Sequence, residues 1–294
     1  MEQCVVKKGF VPSFEGGKEP ELTFLYKIKA EKSDCIRAMH AHANELEIIL
    51  INSGQGVYSI DGKRRAVKEG DIIIYNSNVV HEETFGIDGQ INSYCCGISN
   101  LHLTGLRPNA LISDEVSPVF ASGGHYQDIA NLLELMFTQL AGRLPRAPET
   151  CHYLMLSLIS ILLDLTQSYV EREDRKGLKN NILGRRIKNY IDEHYAEDLT
   201  LESIAKAINV SIYYMSHIFK EETGYSPLQY VSRRRIGEAQ SLLVQTDYSA
   251  TQIGTMVGFG NPSYFNAMFT KNVGMSPLKY RRTCVSMNKE GSKK

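Results

Sequence analysis

No two of the six cysteines (Cys4, Cys35, Cys95, Cys96, Cys151, Cys284) stand in a C-x-x-C pair, and none has zinc-finger spacing. A disulfide scaffold is therefore not expected, and free thiols in a reducing cytoplasm are. The chain shows no secretory leader and no run of 18 apolar residues, so no membrane partner is expected. It has no net charge either, with 33 basic residues against 33 acidic ones. That balance hides a split. From Ile182 to the end there are 15 Lys and Arg against 10 Asp and Glu, while the first 181 residues hold 18 against 23.

At 294 residues and 43% apolar content, the chain has material for two domains with separate cores. Its most informative feature is a repeat. Residues 218–230 (IFKEETGYSPLQY) recur in register at 268–280 (MFTKNVGMSPLKY), with Phe, Gly, Ser-Pro-Leu and Tyr matched. Two copies are too few for a solenoid and imply two similar modules side by side.

The residues before each copy define the module. In the first, Thr200 can cap a short helix with Leu201, Ile204, Ala205 and Ile208 on its apolar face. Asn209-Val210-Ser211 breaks that helix. Ser211 then caps a second one carrying Tyr214, Met215, Ile218 and Phe219, ended by Gly224. In the second copy Ser249 and Gln252 have capping-box spacing, with Ile253, Met256 and Val257 following. Gly258-Phe259-Gly260 turns the chain. Asn261 caps, Pro262 takes the first helical position, and Tyr264, Phe265, Met268 and Phe269 follow. Short helix, tight turn and second helix make a helix-turn-helix, whose second helix can enter the major groove of double-stranded DNA. The alternative is an αα-hairpin used only for packing, and duplication favours DNA. The basic carboxyl-terminal part fits phosphate contact. Arg185, Arg186, Arg233, Arg234, Arg281 and Arg282 are the phosphate candidates, with a solvated surface as the alternative for each. Leu228–Gln245 joins the modules as a helix of about 18 residues, spanning roughly 27 Å. Phe219, Phe259, Phe265 and Phe269 fall on buried faces and are expected in the core.

The ordered set Arg235-Ile236, Ala239, Leu242-Leu243, Ile253, Val257-Gly258-Phe259, Ser263-Tyr264-Phe265, Phe269, Gly274, Ser276-Pro277 and Tyr280-Arg281 resembles the AraC/XylS-type transcriptional regulators over about residues 180–283. The resemblance implies two helix-turn-helix units joined by a helix. It places base contacts at Tyr213, Ser216 and His217 in the first unit and at Ser263, Asn266 and Ala267 in the second. Asn can pair with adenine and an Ala methyl can touch thymine, but no residue there offers the Arg–guanine fork, so modest intrinsic specificity is expected. Gly254 departs from the family's usual Ala and should weaken its helix slightly.

The first 100 residues read as strands. Leu46–Ile51, Gly56–Ile60 and Asp71–Tyr75 are short and separated by turn residues, with Asp61-Gly62 as a hairpin turn. That spacing indicates a sandwich or barrel. His40-Ala41-His42, Glu47, Gly54, Gly70-Asp71 and His81 resemble the cupin barrel motifs, which set two His, one Glu and a third His around a metal. Asn76 and Asn78 stand where Pro and Gly are usual. Three readings remain open: a metal held by His40, His42, Glu47 and His81; a metal-free pocket for a small-molecule effector; and histidines with structural hydrogen bonds only. Arg37, Tyr58, Tyr75 and His81 join His40, His42 and Glu47 as pocket candidates, and the resemblance suggests a sugar or related metabolite. A catalytic residue is not assigned, because a barrel tethered to a DNA-binding half serves better as an input. A metal-dependent cupin enzyme or metal sensor with a DNA-binding tail is the alternative.

Ile129, Leu132, Leu133, Met136 and Leu140 make one face of a helix over 126–140, and residues 149–170 form a second, apolar over most of its circumference. The pair is read as a homodimer interface, with packing inside one chain as the alternative. The expected architecture is α+β: a cupin-like effector-binding barrel over 1–120, a helical dimerisation segment over 121–172, a linker over 173–181, a double helix-turn-helix over 182–283, and a tail over 284–294 without fixed structure beyond about Asn288. An effector-responsive regulator in the cytoplasm follows, contacting RNA polymerase if it activates.

Overall fold

The computed structural model describes residues 4, 9, 13–14, 19–29, 39–84, 91–173 and 182–291. Arg37, Cys35 and nearly all of the expected linker lie outside them. Eight strands come first: β1 (Glu21–Ile28), β2 (Glu45–Ser53), β3 (Gln55–Ile60), β4 (Lys63–Lys68), β5 (Asp71–Tyr75), β6 (His81–Thr84), β7 (Asn92–Ser99) and β8 (Val119–Ala121). They form two antiparallel sheets, ordered β1-β7-β2-β5-β8 and β4-β3-β6. The turn between β3 and β4 is Asp61-Gly62, both left-handed at φ 51 and 79, as a two-residue hairpin requires.

β2 shows why this sheet sits in the middle of its layers. Leu46, Ile48 and Leu50 face one cluster while Ile49 and Ile51 face another, all almost fully buried. A strand buried on both sides reads as a continuous apolar run rather than an alternating one. The first cluster is closed by α1 (Tyr126–Ala141) and α2 (Ala147–Glu173) through Ile129, Leu133, Met136, Met155, Leu158 and Leu162. Both helices were legible from their apolar spacing. By length and composition alone, Ala147–Gln167 within α2 is long and apolar enough to cross a membrane, with a mean hydropathy of 1.2. In this fold it lies along the sheet instead.

Seven helices follow: α3 (Ile182–His194), α4 (Leu201–Ile208), α5 (Ile212–Thr223), α6 (Pro227–Gln245), α7 (Ala250–Met256), α8 (Pro262–Val273) and α9 (Pro277–Gly291). The expected caps are in place. Thr200 accepts from the Ser203 amide, Ser211 from Tyr214, Ser249 from Gln252, and Asn261 from Ser263 and Tyr264. The repeated tail has a clear job in each unit. Gly224 and Gly274 end α5 and α8 in the left-handed region at φ 76 and 81. Ser226 then caps α6 with Pro227 at its first position, and Ser276 accepts from the Lys279 amide ahead of α9. The backbone of α9 remains helical to Gly291, past Asn288, where the tail was expected to lose its structure.

Each helix-turn-helix has its own core. Phe265 and Phe269 anchor the second with Ile253, Val257, Phe259 and Tyr280. The departure at Gly254 has a physical reason, because a Cβ there would stand 3.0 Å from the Phe265 ring. The core of the first unit includes Met215, Phe219 and Tyr230, and it also takes in Met39 and Val80 from the β-domain. The two halves therefore share apolar packing at the first unit.

Candidate DNA-binding faces and a buried histidine–glutamate cluster

Capping and core burial together decide which side of α5 and α8 is presented. Met215 and Phe219 point inward from α5, and Phe265 and Phe269 from α8. The opposite faces carry the base-contact candidates. Tyr213, His217, Ser263, Asn266 and Ala267 are exposed and Ser216 is half-buried, with Tyr213 the most open at 82%. Both helices begin at well-formed caps, and their N-terminal turns are exposed. Asn266 donates to the Pro262 carbonyl at 2.9 Å, a bond it must release to read a base.

The six phosphate candidates divide. Arg186 and Arg282 are exposed. Arg185 is half-buried and lines a cleft between the sheets and α3. Arg233 pairs with Glu82 of β6, and Arg234 is buried against Glu238. Arg281 donates to the Leu243, Thr246 and Tyr248 carbonyls, closing the C-terminal end of α6. Sequence reasoning could not separate these roles, because an arginine that holds carbonyls and one that meets phosphate look alike in a chain.

In the β-domain, His40, His42, Glu47 and His81 come together. One donor atom from each lies within 4.8 Å of every other. His40 and His81 face each other across an antiparallel bridge, with His40 N donating to His81 O at 2.9 Å and the reverse bond at 2.8 Å. Glu47 stands near the start of β2. His42 Nε2 is 2.9 Å from its Oε1, and His81 Nε2 is 3.3 Å from its Oε2. Both imidazole nitrogens thus face the Glu47 carboxylate. His81 Nδ1 lies 2.9 Å from the Val79 carbonyl, which can only accept, so Nδ1 carries the proton. Nε2 is thereby turned toward the carboxylate, the arrangement that fixes a metal-ligating imidazole. Tyr75 stacks on His81 with ring centroids 3.9 Å apart.

The electrostatics point the same way. Burial pulls the His42 pKa down, but the carboxylates of Glu45 and Glu47 outweigh it and lift it to about 9. Burial pushes Glu47 up, yet His42 and His81 hold it well below the usual carboxylate range. A buried carboxylate ringed by imidazoles demands positive charge, which a proton or a cation can supply. Three imidazoles and a carboxylate suit Zn, Mn or Fe. Cys96, its thiol pushed up to about 12 by burial and by Glu47, belongs to the apolar cluster with Ile48 on the other face of the sheet.

Sequence reasoning missed Glu45, which stands 3.2 Å from His42; its position two residues before Glu47 on the same strand face was the available signal. Asn78, where the cupin motif has Gly, adopts φ 62, so it fills the left-handed position that Gly would fill. Tyr58 and Tyr75 are buried in the core between the sheets. A cleft of about 970 Å³ opens instead between the β-domain and α3, lined in part by Arg65, Asn76, Arg107, Asp114, Arg185 and Lys188.

A barrel with a cupin-type donor set, joined to paired helix-turn-helix units with open second helices, defines a two-domain DNA-binding regulator. The comparisons agree. A cupin domain model matches residues 29–84 and a helix-turn-helix domain model residues 204–283. The uncharacterized HTH-type transcriptional regulator YdiP of Escherichia coli K12 is 27% identical over 249 residues, covering 83% of this chain and 80% of its own. The transcriptional activator RhaS of Enterobacter sp. strain 638 is 25% identical, covering 82% and 86%. The solved C-terminal domain of AraT from Geobacillus stearothermophilus is 37% identical over 36% of this chain and 88% of that one, with a TM-score of 0.35. The chain has the cupin plus helix-turn-helix make-up of the AraC-type transcriptional regulators, and its relatives are members of that family.

Proposed function

We propose that this protein regulates transcription by placing α5 and α8 in successive major-groove segments of double-stranded DNA, and that occupancy of the buried cluster in its barrel sets how well it does so. The observation that carries the DNA reading is the matched pair of capped helices whose candidate base-contact faces are largely exposed. Arg186 and Arg282 supply phosphate contacts. The input is a divalent transition metal held by His40, His42, Glu47 and His81, supported by the convergence of four donors within 4.8 Å. The barrel is thus a reader and not a catalyst, in keeping with relatives that are regulators.

A sugar or related metabolite is the second reading. It is supported by a relative named as the lactose operon transcription activator of Staphylococcus xylosus, 23% identical over 82% of this chain and 85% of its own. Leu135, Leu140, Leu144 and Tyr153 remain exposed on and between α1 and α2, which supports a homodimer there. The protein works in the cytoplasm, and if it activates transcription it contacts RNA polymerase.

Elemental analysis of purified protein separates the two inputs. A stoichiometric metal that is lost in His42→Ala supports the first. Metal-free protein whose melting temperature rises with a sugar overturns it in favour of the second.

A further inference from the structure

The His40–His81 bridge has two sides. One carries the donor imidazoles. The other faces the DNA-binding half, because residues adjacent in an extended chain point in opposite directions. Met39 precedes His40, and Val80 precedes His81; both are buried in the core of the first helix-turn-helix with Ile187, Phe219 and Tyr230. Glu82 follows His81 and pairs with Arg233 of α6, while Tyr225 donates to it at 3.4 Å. Met39 also covers Gly237 of α6 so closely that a Cβ there would fall 1.7 Å from its carbonyl oxygen. Two of the four cluster donors are thus one peptide unit away from the residues that hold the helix between the two DNA-reading units.

We infer that the occupant of the cluster is sensed by α6 directly, through Met39–His40 on one strand and Val80–His81–Glu82 on the other. The inference rests on the cluster being the input site. A cation held by all four donors ties both segments of the bridge into one rigid piece. Met39, Val80 and Glu82 are then fixed against α6, and the first helix-turn-helix is fixed relative to the barrel. Glu82 and Arg233 are positioning residues in this scheme, since neither offers a donor to the cluster. Because coupling is reciprocal, loosening α6 must weaken binding at the cluster.

The test uses the full chain with Zn²⁺ as the probe, metal content by elemental analysis, and amide hydrogen exchange. Wild-type protein should show slower exchange at 230–237 when loaded, with no change at 262–273 in the distant α8. Arg233→Gln should lose that slowing and bind Zn²⁺ more weakly by about 5-fold to 150-fold, the usual range for coupled sites. Zn²⁺ bound with unchanged exchange at 230–237, or equal affinity in Arg233→Gln, overturns the coupling. Protein that takes up no Zn²⁺ counts against the metal input alone. Glu47→Gln then tests the coupling without any ligand: altered exchange at 230–237 supports it, and unchanged exchange overturns it.

Discussion

Gly237→Ala separates this fold from what helix chemistry alone would say. Gly237 lies inside α6, where replacing Gly by Ala ordinarily stabilises a helix by about 1 kcal/mol. Here the added methyl would meet the Met39 carbonyl oxygen at 1.7 Å and the His40 amide nitrogen at 3.0 Å. Both are backbone atoms, so no rotamer change relieves the clash, and the β-domain must lift off α6. Overpacking of a fitted site typically costs about 1–3 kcal/mol. Lifting would also expose Met39 and Val80 and stretch the Glu82–Arg233 pair. The full chain should therefore melt below wild type, with faster amide exchange at 39–42 and 230–238. A variant that melts above wild type with unchanged exchange there would refute the packing of the β-domain on α6.

Further outcomes follow from the same contacts. Phe265→Ala empties the centre of the second unit's core and should destabilise it by about 3–5 kcal/mol, read by chemical denaturation. Asn266→Ala and Tyr213→Ala lie on exposed faces, so they should leave stability unchanged. Asn266→Ala should relax base preference by about 1–3 kcal/mol at one position, read by binding to a mutated-site panel. Arg281→Ala removes three hydrogen bonds to carbonyls at the end of α6; it should lower the melting temperature whether or not DNA is present, unlike Arg282→Ala, which should lower only DNA affinity. Burial pushes the Asp114 carboxyl up, but Arg107 and Asn76 outweigh it and hold it below the usual range. Its stabilising share is therefore present above that range and lost as pH falls through the depressed value, so Asp114→Asn should flatten the acid side of the stability curve.

Much of this was written in local chemistry. The caps at Thr200, Ser211, Ser249 and Asn261 and the glycines after α5 and α8 act within a few residues, so the chain displays them directly. β2 and β5 were visible as apolar runs, and α1 and α2 through their spacing. The cluster was partly legible because His40 and His42 share one side of an extended segment and Glu47 follows within eight residues; the bend between them that turns Glu47 toward the imidazoles was not. The arginines were another matter. Whether Arg233 meets Glu82, or Arg281 meets the end of α6, depends on partners 151 and 33–38 residues away, and no local pattern encodes that. The packing of Met39 on Gly237 was hidden for the same reason, and α9 ran on because nothing near Asn288 stops a helix.

The central claim is that two like units read DNA together. Hydroxyl-radical footprinting of the full chain on a site selected from random duplexes tests it most directly. For each bound protomer, two protected patches on one side of the duplex, about 10 bp apart from centre to centre, are predicted, with the patch made by α8 changing in Asn266→Ala. A single patch, or protection indifferent to changes in both α5 and α8, would contradict it.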